Sequence, residues 1–239
     1  MVKIENALYL IPTTLGEYPA SKVIPSYNSE IVIQIKHFIV ESRKCAVRSL
    51  LAICPEIDID SLTFDELNEH TDLTTIGNYL NHITKDKEPI GVISDAGCPG
   101  VADPGAAVVE MAQKKGVKVV PLVGPSSIIL SVMASGFNGQ SFAFNGYLPV
   151  KPNERAAKIR QLENRVYNED QTQLFIEAPY RNIKMLETLL STCRKNTKIC
   201  VACGITTDDE YIQTHTVEEW KKIPVKDINK IPAIFLIYR

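Results

Sequence analysis

The chain has 239 residues, 45% of them hydrophobic and 23% charged, which is the composition of an ordinary globular protein with room for one large or two small domains. A net charge of −2 argues against a protein that coats nucleic acid by bulk phosphate neutralisation, though not against a local basic patch. Apolar runs such as Ile128 to Ala134 fall short of the roughly 20 residues a bilayer span needs, and Met1-Val2-Lys3-Ile4 enters a strand-like run without signal-peptide architecture, so a cytoplasmic location is expected.

The first predicted element is a buried strand, Ala7 to Ile11, ended by the tight loop Pro12-Thr13-Thr14-Leu15-Gly16. Ile31, Ile35, Phe38 and Ile39 mark a helix over Ser29 to Val40, and a second helix runs from Ala46 to Ile53 and stops at Cys54-Pro55. Thr63-Phe64-Asp65-Glu66 has the spacing of a helix start. Ile76, Leu80 and Ile83 lie at helical spacing within Thr74 to Lys85. Ile90 to Ile93 reads as a buried strand. It is followed by a Gly- and Pro-bearing loop, a helix over Ala106 to Lys115 stopped by Gly116, and a strand over Val117 to Leu122. This strand–helix–strand order implies parallel pairing. Gly124-Pro125-Ser126-Ser127 opens a helix that ends near Ser135-Gly136.

An aromatic stretch, Phe142 to Pro149, and a charged helical stretch to Asp170 mark a change of composition, with the domain boundary placed at 122/123. Further strands are expected at Gln173 to Ile176, Lys198 to Cys203 and Ile234 to Tyr238, with a helix over Asn182 to Cys193. Six cysteines, at 45, 54, 98, 193, 200 and 203, read as reduced thiols. Cys200 and Cys203 form the one C-x-x-C pair, and with no second pair of ligands beside it no metal site is expected.

Three loops, at residues 12–16, 95–100 and 124–127, each follow a predicted buried strand, where ligand sites of parallel α/β sheets gather. Gly97 and Gly100 let main-chain groups approach a ligand closely, and Ser126-Ser127 at a helix start offers hydroxyls and helix-start N–H groups. For any one loop alone, a turn plus a helix cap is the favoured reading of the residues. Neither G-x-x-x-x-G-K-[ST] nor G-x-G-x-x-G occurs, which counts against a nucleoside-triphosphate or nicotinamide enzyme.

The segment Ile93-Ser94-Asp95-Ala96-Gly97-Cys98-Pro99-Gly100-Val101-Ala102-Asp103-Pro104-Gly105 resembles the signature loop of the tetrapyrrole methylase family, in particular its ribosomal RNA 2′-O-methyltransferase branch. Four further stretches agree in order: Leu10 to Gly16, Val120 to Ser127, Phe144 to Pro149 and Phe175 to Arg181. The resemblance implies a two-domain α/β fold, with a mostly parallel N-terminal sheet over 1–122, a mixed C-terminal α/β domain over 123–239, and S-adenosylmethionine (SAM) in a cleft between them. It also implies a homodimer, S-adenosylhomocysteine as product, and an RNA or ribosomal small-subunit substrate. On the same ground Leu15, Asp95, Gly97, Cys98, Val101, Ser126, Ser127, Ile176, Cys203, Pro232 and Ala233 would border the cofactor. The branch carries an acidic pair before an arginine after its first helix, whereas this chain reads Glu41-Ser42-Arg43-Lys44.

A hydroxyl acceptor benefits from a base that takes its proton. Glu41, Glu177 and His70 are the candidates, set against pairing of Glu41 with Arg43, pairing of Glu177 with Arg181, and simple solvation of His70. Arg43, Lys44, Arg48, Lys151, Arg155 and Arg181 could line an entrance for a phosphate-bearing substrate, or form an ordinary charged face. The alternatives to RNA methylation are a tetrapyrrole acceptor and a catalytically silent SAM-binding module.

Overall fold

The computed structural model describes residues 2–68, 71 and 76–239. The chain divides into two compact units, Met1–Ser126 and Ser127–Arg239.

The first unit holds a five-stranded sheet in the order β3-β2-β4-β1-β5, built from β1 (Leu8–Ile11), β2 (His37–Val40), β3 (Thr63–Glu66), β4 (Ile90–Ile93) and β5 (Val119–Pro121). Every pairing is parallel. Side chains alternate across such strands, and the alternation sorts them into two apolar layers. Tyr9, Ile11, Phe38, Val40 and Ile93 pack with residues of α1 (Ser26–Val32) and α2 (Arg43–Ile53). Leu8, Ile39, Ile90 and Val92 pack on the other side with α3 (Ile76–Tyr79) and α4 (Gly105–Lys114). Burial on both faces is why β4 reads as the continuous run Ile-Gly-Val-Ile rather than as alternating polar and apolar residues. Gly91 is fixed by the same packing, since a Cβ there would stand 2.7 Å from Ile11 and 2.8 Å from Phe38.

The helices obey their local chemistry. Ser42 caps α2 by accepting a hydrogen bond from the Cys45 N–H. Gly116, at φ +66°, ends α4: its N–H donates to Gln113 O and the Val117 N–H to Ala112 O, the paired bonds of a left-handed helix stop.

Two expectations fail here. The helix expected over Ser29–Val40 is α1 followed by β2, because Phe38-Ile39-Val40 is a contiguous apolar run that the sheet buries on both sides between β3 and β4. Thr63–Glu66, expected to start a helix, is the edge strand β3, and the Thr63 N–H donates to Lys36 O across the pair. Of the helix expected over Thr74–Lys85, residues 74 and 75 lie outside the described residues. The remainder is α3 and then a π-helical turn, His82–Asp86, closed by Lys87 at φ +62°.

The second unit holds a mixed sheet in the order β6-β7-β10-β8-β9. Its strands are β6 (Phe142–Tyr147), β7 (Thr172–Ile176), β8 (Lys198–Cys203), β9 (Tyr211–Thr216) and β10 (Ala233–Tyr238). β6 runs parallel to β7, whereas β10 is antiparallel to both β7 and β8. Helices α5 (Ser127–Ser135), α6 (Pro152–Glu169), α7 (Asn182–Thr192) and α8 (Val217–Trp220) accompany it. Its core contains Leu162, Phe175, Leu189, Trp220 and Phe235, each large side chain contributing about 2 kcal/mol by leaving water. The buried Trp220 ring donates its Nε1–H to Ile199 O at 2.9 Å. β9 and α8 are additions to the sequence reading, and α8 starts with a reciprocal Thr216–Glu219 capping box. No described helix is long and apolar enough to cross a membrane.

Candidate active site

Parallel pairing brings the C-terminal ends of β1, β2, β4 and β5 to one edge of the first sheet, where Ile11 and Val40 both register with Ile93 and Leu10 with Pro121. The loop between β4 and α4 dominates this edge. The Asp103 carboxylate shapes it by accepting, through Oδ1, the N–H groups of Gly100 at 2.8 Å and Gly105 at 2.7 Å. Gly97, Gly100 and Ala102 all take left-handed backbone, at φ +72°, +82° and +60°. For Ala102 that conformation costs on the order of 1 kcal/mol, which the Asp103 bonds on either side help to offset.

The loops after β1 and β5 close on this one. The Thr13 N–H donates to Gly97 O at 2.9 Å, and the Cys98 thiol donates to Pro125 O at 3.4 Å. A Cβ on Gly97 would lie 3.1 Å from Leu15 Cδ2 and 3.6 Å from Pro125 O. A Cβ on Gly124 would lie 2.3 Å from Pro12 Cγ, so only glycine fits where the β5 and β1 loops meet. Leu15, Gly97 and Cys98 are thus brought together, with Ser126 part-buried just beyond Pro125. Asp95 and Val101 are exposed on the β4–α4 loop.

Glu41 follows β2 directly and is half-buried. Burial, then the nearby charges of Asp95 and Asp103, raise its pKa above the ordinary 4.5, and an Asp95 backbone hydrogen bond partly opposes them. Burial also raises Asp103, against its bonds from Gly100 and Gly105, and burial with the Asp103 charge raises the Cys98 thiol. Glu41 faces carboxylates rather than Arg43, whose guanidinium lies 5.4 Å from the centre of the Phe64 ring.

A second group of the expected residues meets in the second unit. Ile176 registers with Ile234, Cys203 with Ala233, and the Gly204 N–H donates to Pro232 O at 3.0 Å. Burial pushes the Cys203 thiol up to about 11, and it donates to Tyr211 O. Ser127 is the first residue of α5. Glu177, beside Ile176, is fully buried at its side chain and paired with Arg181. His70 lies outside the described residues.

Of the six basic candidates, Arg43, Lys44 and Arg48 stand exposed on α2, whose first turn adjoins Glu41. Arg155 does not line an entrance: it is 3% exposed and donates to Val150 O and Thr188 Oγ1. Lys151 is held by Glu154, and Arg181 by Glu177. The sequence reading did not single out Asp103 or Thr13. The signal for Asp103 was Asp-Pro-Gly at the head of a helix, where an aspartate readily accepts local backbone N–H groups.

No family model matches the chain. Individual relatives do. The Vibrio cholerae protein named ribosomal RNA small subunit methyltransferase I is 29% identical over 206 residues, covering 86% of this chain and 67% of that protein. The Haemophilus influenzae protein of the same name is 34% identical over 141 residues, 59% of this chain and 48% of that one. Among solved structures, the methyltransferase CobJ superposes with a TM-score of 0.64 at 14% identity, covering 98% of this chain and 94% of that one. Uroporphyrin-III C-methyltransferase from Thermus thermophilus, in complex with S-adenosylhomocysteine, gives 0.56 at 15% identity, covering 98% and 97%. Over most of its length the chain is thus similar to proteins named ribosomal RNA small subunit methyltransferase I, and its fold is that of these solved methyltransferases. In this chain the pinned β4–α4 loop and Glu41 share one edge of the first sheet, while Ile176, Cys203 and Ala233 share one edge of the second.

Proposed function

We propose that the chain is a SAM-dependent methyltransferase that acts on a ribose 2′-oxygen of ribosomal RNA, working in the cytoplasm as a homodimer. The observation that carries this reading is the β4–α4 loop: left-handed backbone at Gly97 and Gly100, no side chain at either position, and Asp103 fixing the whole. Gly97 O and the Gly100 N–H are held by Thr13 and Asp103, so the loop is pre-shaped, and the missing side chains let a ligand approach its backbone closely. SAM fits this setting, with Leu15 and Cys98 offering apolar and thiol surface beside the backbone. The names of the curated relatives support the RNA substrate.

In this reading Leu15, Asp95, Gly97, Cys98, Val101 and Ser126 of the first unit hold the donor. SAM supplies a methyl group already activated by its positively charged sulfur. The chain's part is to orient the acceptor in line with that methyl, and positioning of this kind supplies about 7–11 kcal/mol in favourable cases. Glu41 takes the proton of the ribose hydroxyl. Its raised pKa makes it a better base than an ordinary surface carboxylate. Ser42, in place of a second acid, caps α2, and the exposed Arg43, Lys44 and Arg48 meet phosphates of the RNA. These three cations favour a polyanionic acceptor.

Calorimetric titration with SAM, S-adenosylhomocysteine and NAD, followed by mass analysis of nucleosides from small-subunit RNA treated with enzyme and SAM, tests the proposal. The expected result is binding of SAM and its product but not NAD, with a 2′-O-methylated nucleoside appearing. Absence of SAM binding overturns the whole reading. SAM binding with no modified RNA overturns the substrate and leaves the silent binding module.

A further inference from the structure

Among the described residues, one group of His, Cys, Asp and Glu side chains has its ligand atoms within 4.8 Å of one another: His37, His82 and Glu88. It lies at the N-terminal ends of the strands. His37 opens β2 and Glu88 precedes β4, while His82 opens the π-helical turn leading to it. Glu41 and the β4–α4 loop stand at the other ends of the same strands, about 10 Å away by the rise of a four-residue strand. The two sites are separate.

The detail of the group points beyond a chance surface cluster. Nδ1 of His37 lies 2.6 Å from Thr63 Oγ1, and Nδ1 of His82 lies 3.2 Å from Asp86 Oδ2. Each imidazole therefore has one nitrogen tied to an oxygen partner. That arrangement fixes the tautomer and orients the other nitrogen in metal-binding histidines. Nε2 of His37 already meets a carboxylate oxygen, Glu88 Oε2, at 2.6 Å. The rings stack at 3.6 Å between centroids and 9° between planes. Two imidazoles beside a carboxylate form a donor set suited to zinc and its late first-row neighbours.

We propose that His37, His82 and Glu88 bind a divalent transition cation, zinc in the first instance, through Nε2 of each histidine and a Glu88 oxygen, with solvent completing the coordination. Lone pairs of stacked rings run nearly parallel, so one ring must rotate to share the cation. His82, with 34% of its side chain exposed and its Asp86 contact the longer at 3.2 Å, turns together with the exposed Asp86 side chain, whereas His37, at 13%, is held by Thr63 at 2.6 Å. Binding exchanges the proton shared by His37 Nε2 and Glu88 for the cation and releases it to solvent. Lys36 also faces Glu88, and its positive charge opposes binding of a cation there. The bound ion would clasp the turn at 82–86 to the start of β2, which makes it a structural site.

Zinc titration of metal-free full-length protein by calorimetry, with cobalt(II) absorption as a second readout, tests this. The expected result is one equivalent bound with proton release, a rise in thermal midpoint with zinc, and binding weakened at least tenfold in both His82→Gln and Glu88→Gln. A Cys200→Ser/Cys203→Ser double variant should bind zinc as the parent does. Far-ultraviolet circular dichroism of each variant checks that it is folded. Zinc affinity equal in the parent and the two site variants, or lost with the cysteines, overturns the assignment.

Discussion

The Arg181 guanidinium donates from both Nε and Nη2 to a single oxygen of Glu177, Oε1, at 2.8 and 2.6 Å. The Ala178 N–H reaches that same oxygen at 2.7 Å, while Oε2 is buried without a hydrogen-bond partner. Three donors on one atom make a fixed structural pair of Glu177, which argues against its serving as the base.

Arg181→Ala would leave a carboxylate with no exposed side-chain surface next to nothing positive. Breaking such a pair costs about 3 kcal/mol, the low end of the range for buried pairs because a quarter of the Arg181 side chain stays in water. Chemical denaturation of Arg181→Ala should show that loss, and Glu177→Gln a smaller one. Turnover of folded Glu177→Gln within a few-fold of the parent would agree with a structural role, and a loss of a hundredfold or more would restore Glu177 as the base.

Asp103→Ala removes the acceptor shared by the Gly100 and Gly105 N–H groups. SAM affinity should fall about tenfold or more, together with a stability loss of about 2 kcal/mol, the scale for backbone donors losing a charged partner. Asp103→Asn keeps a carbonyl oxygen in the Oδ1 position and should lie much closer to the parent on both measures. Calorimetric titration with SAM beside urea unfolding of the two variants checks the contrast. If Asn proves as damaging as Ala, the carboxylate charge matters more than the two bonds.

Glu41 links activity and stability to pH in opposite directions. Its pKa in the folded chain is raised above 4.5, so the folded state holds this proton more tightly than the unfolded state does. The resulting stabilisation is complete below the unfolded value and is lost as pH rises through the folded one. Activity should instead increase over that window as the base becomes ionised. Glu41→Gln should lower kcat by 10²- to 10⁴-fold, the usual worth of a positioned base, with SAM affinity unchanged. It should also flatten the acid limb of the kcat profile and the fall in stability above pH 4.5. A variant that turns over as fast as the parent would assign the proton to another group.

The strand-end loops were legible because glycine, proline and aspartate at fixed spacing after buried apolar runs leave few backbone solutions. Gly97 at φ +72° and Gly100 at φ +82° are two such cases. The His37–Val40 strand was not legible. Ile31, Ile35, Phe38 and Ile39 also fit helical spacing, and the choice was made by β3 and β4 pairing on either side of β2. Thr63-Phe64-Asp65-Glu66 misled for a similar reason, since a cap-like tetrapeptide at a sheet edge serves the neighbouring strand instead. The pairing of His37 with His82, forty-five positions apart, depends on the turn at 82–86 folding back to the sheet, and no local pattern announces it.

The order of strands also bears on how the chain assembles. The first sheet has all five members by Pro121, so it can form from a continuous stretch while later residues are still being added. The second cannot. Its central strand β10, which separates β7 from β8, spans Ala233–Tyr238 and is the latest in sequence of the five. Until those residues arrive, β6 with β7 and β8 with β9 remain two pairs with bare inner edges, and such edges invite association with other chains. The interval between completion of β9 at Thr216 and arrival of β10 at Ala233 is therefore when this half of the protein leaves the most strand edge unpaired.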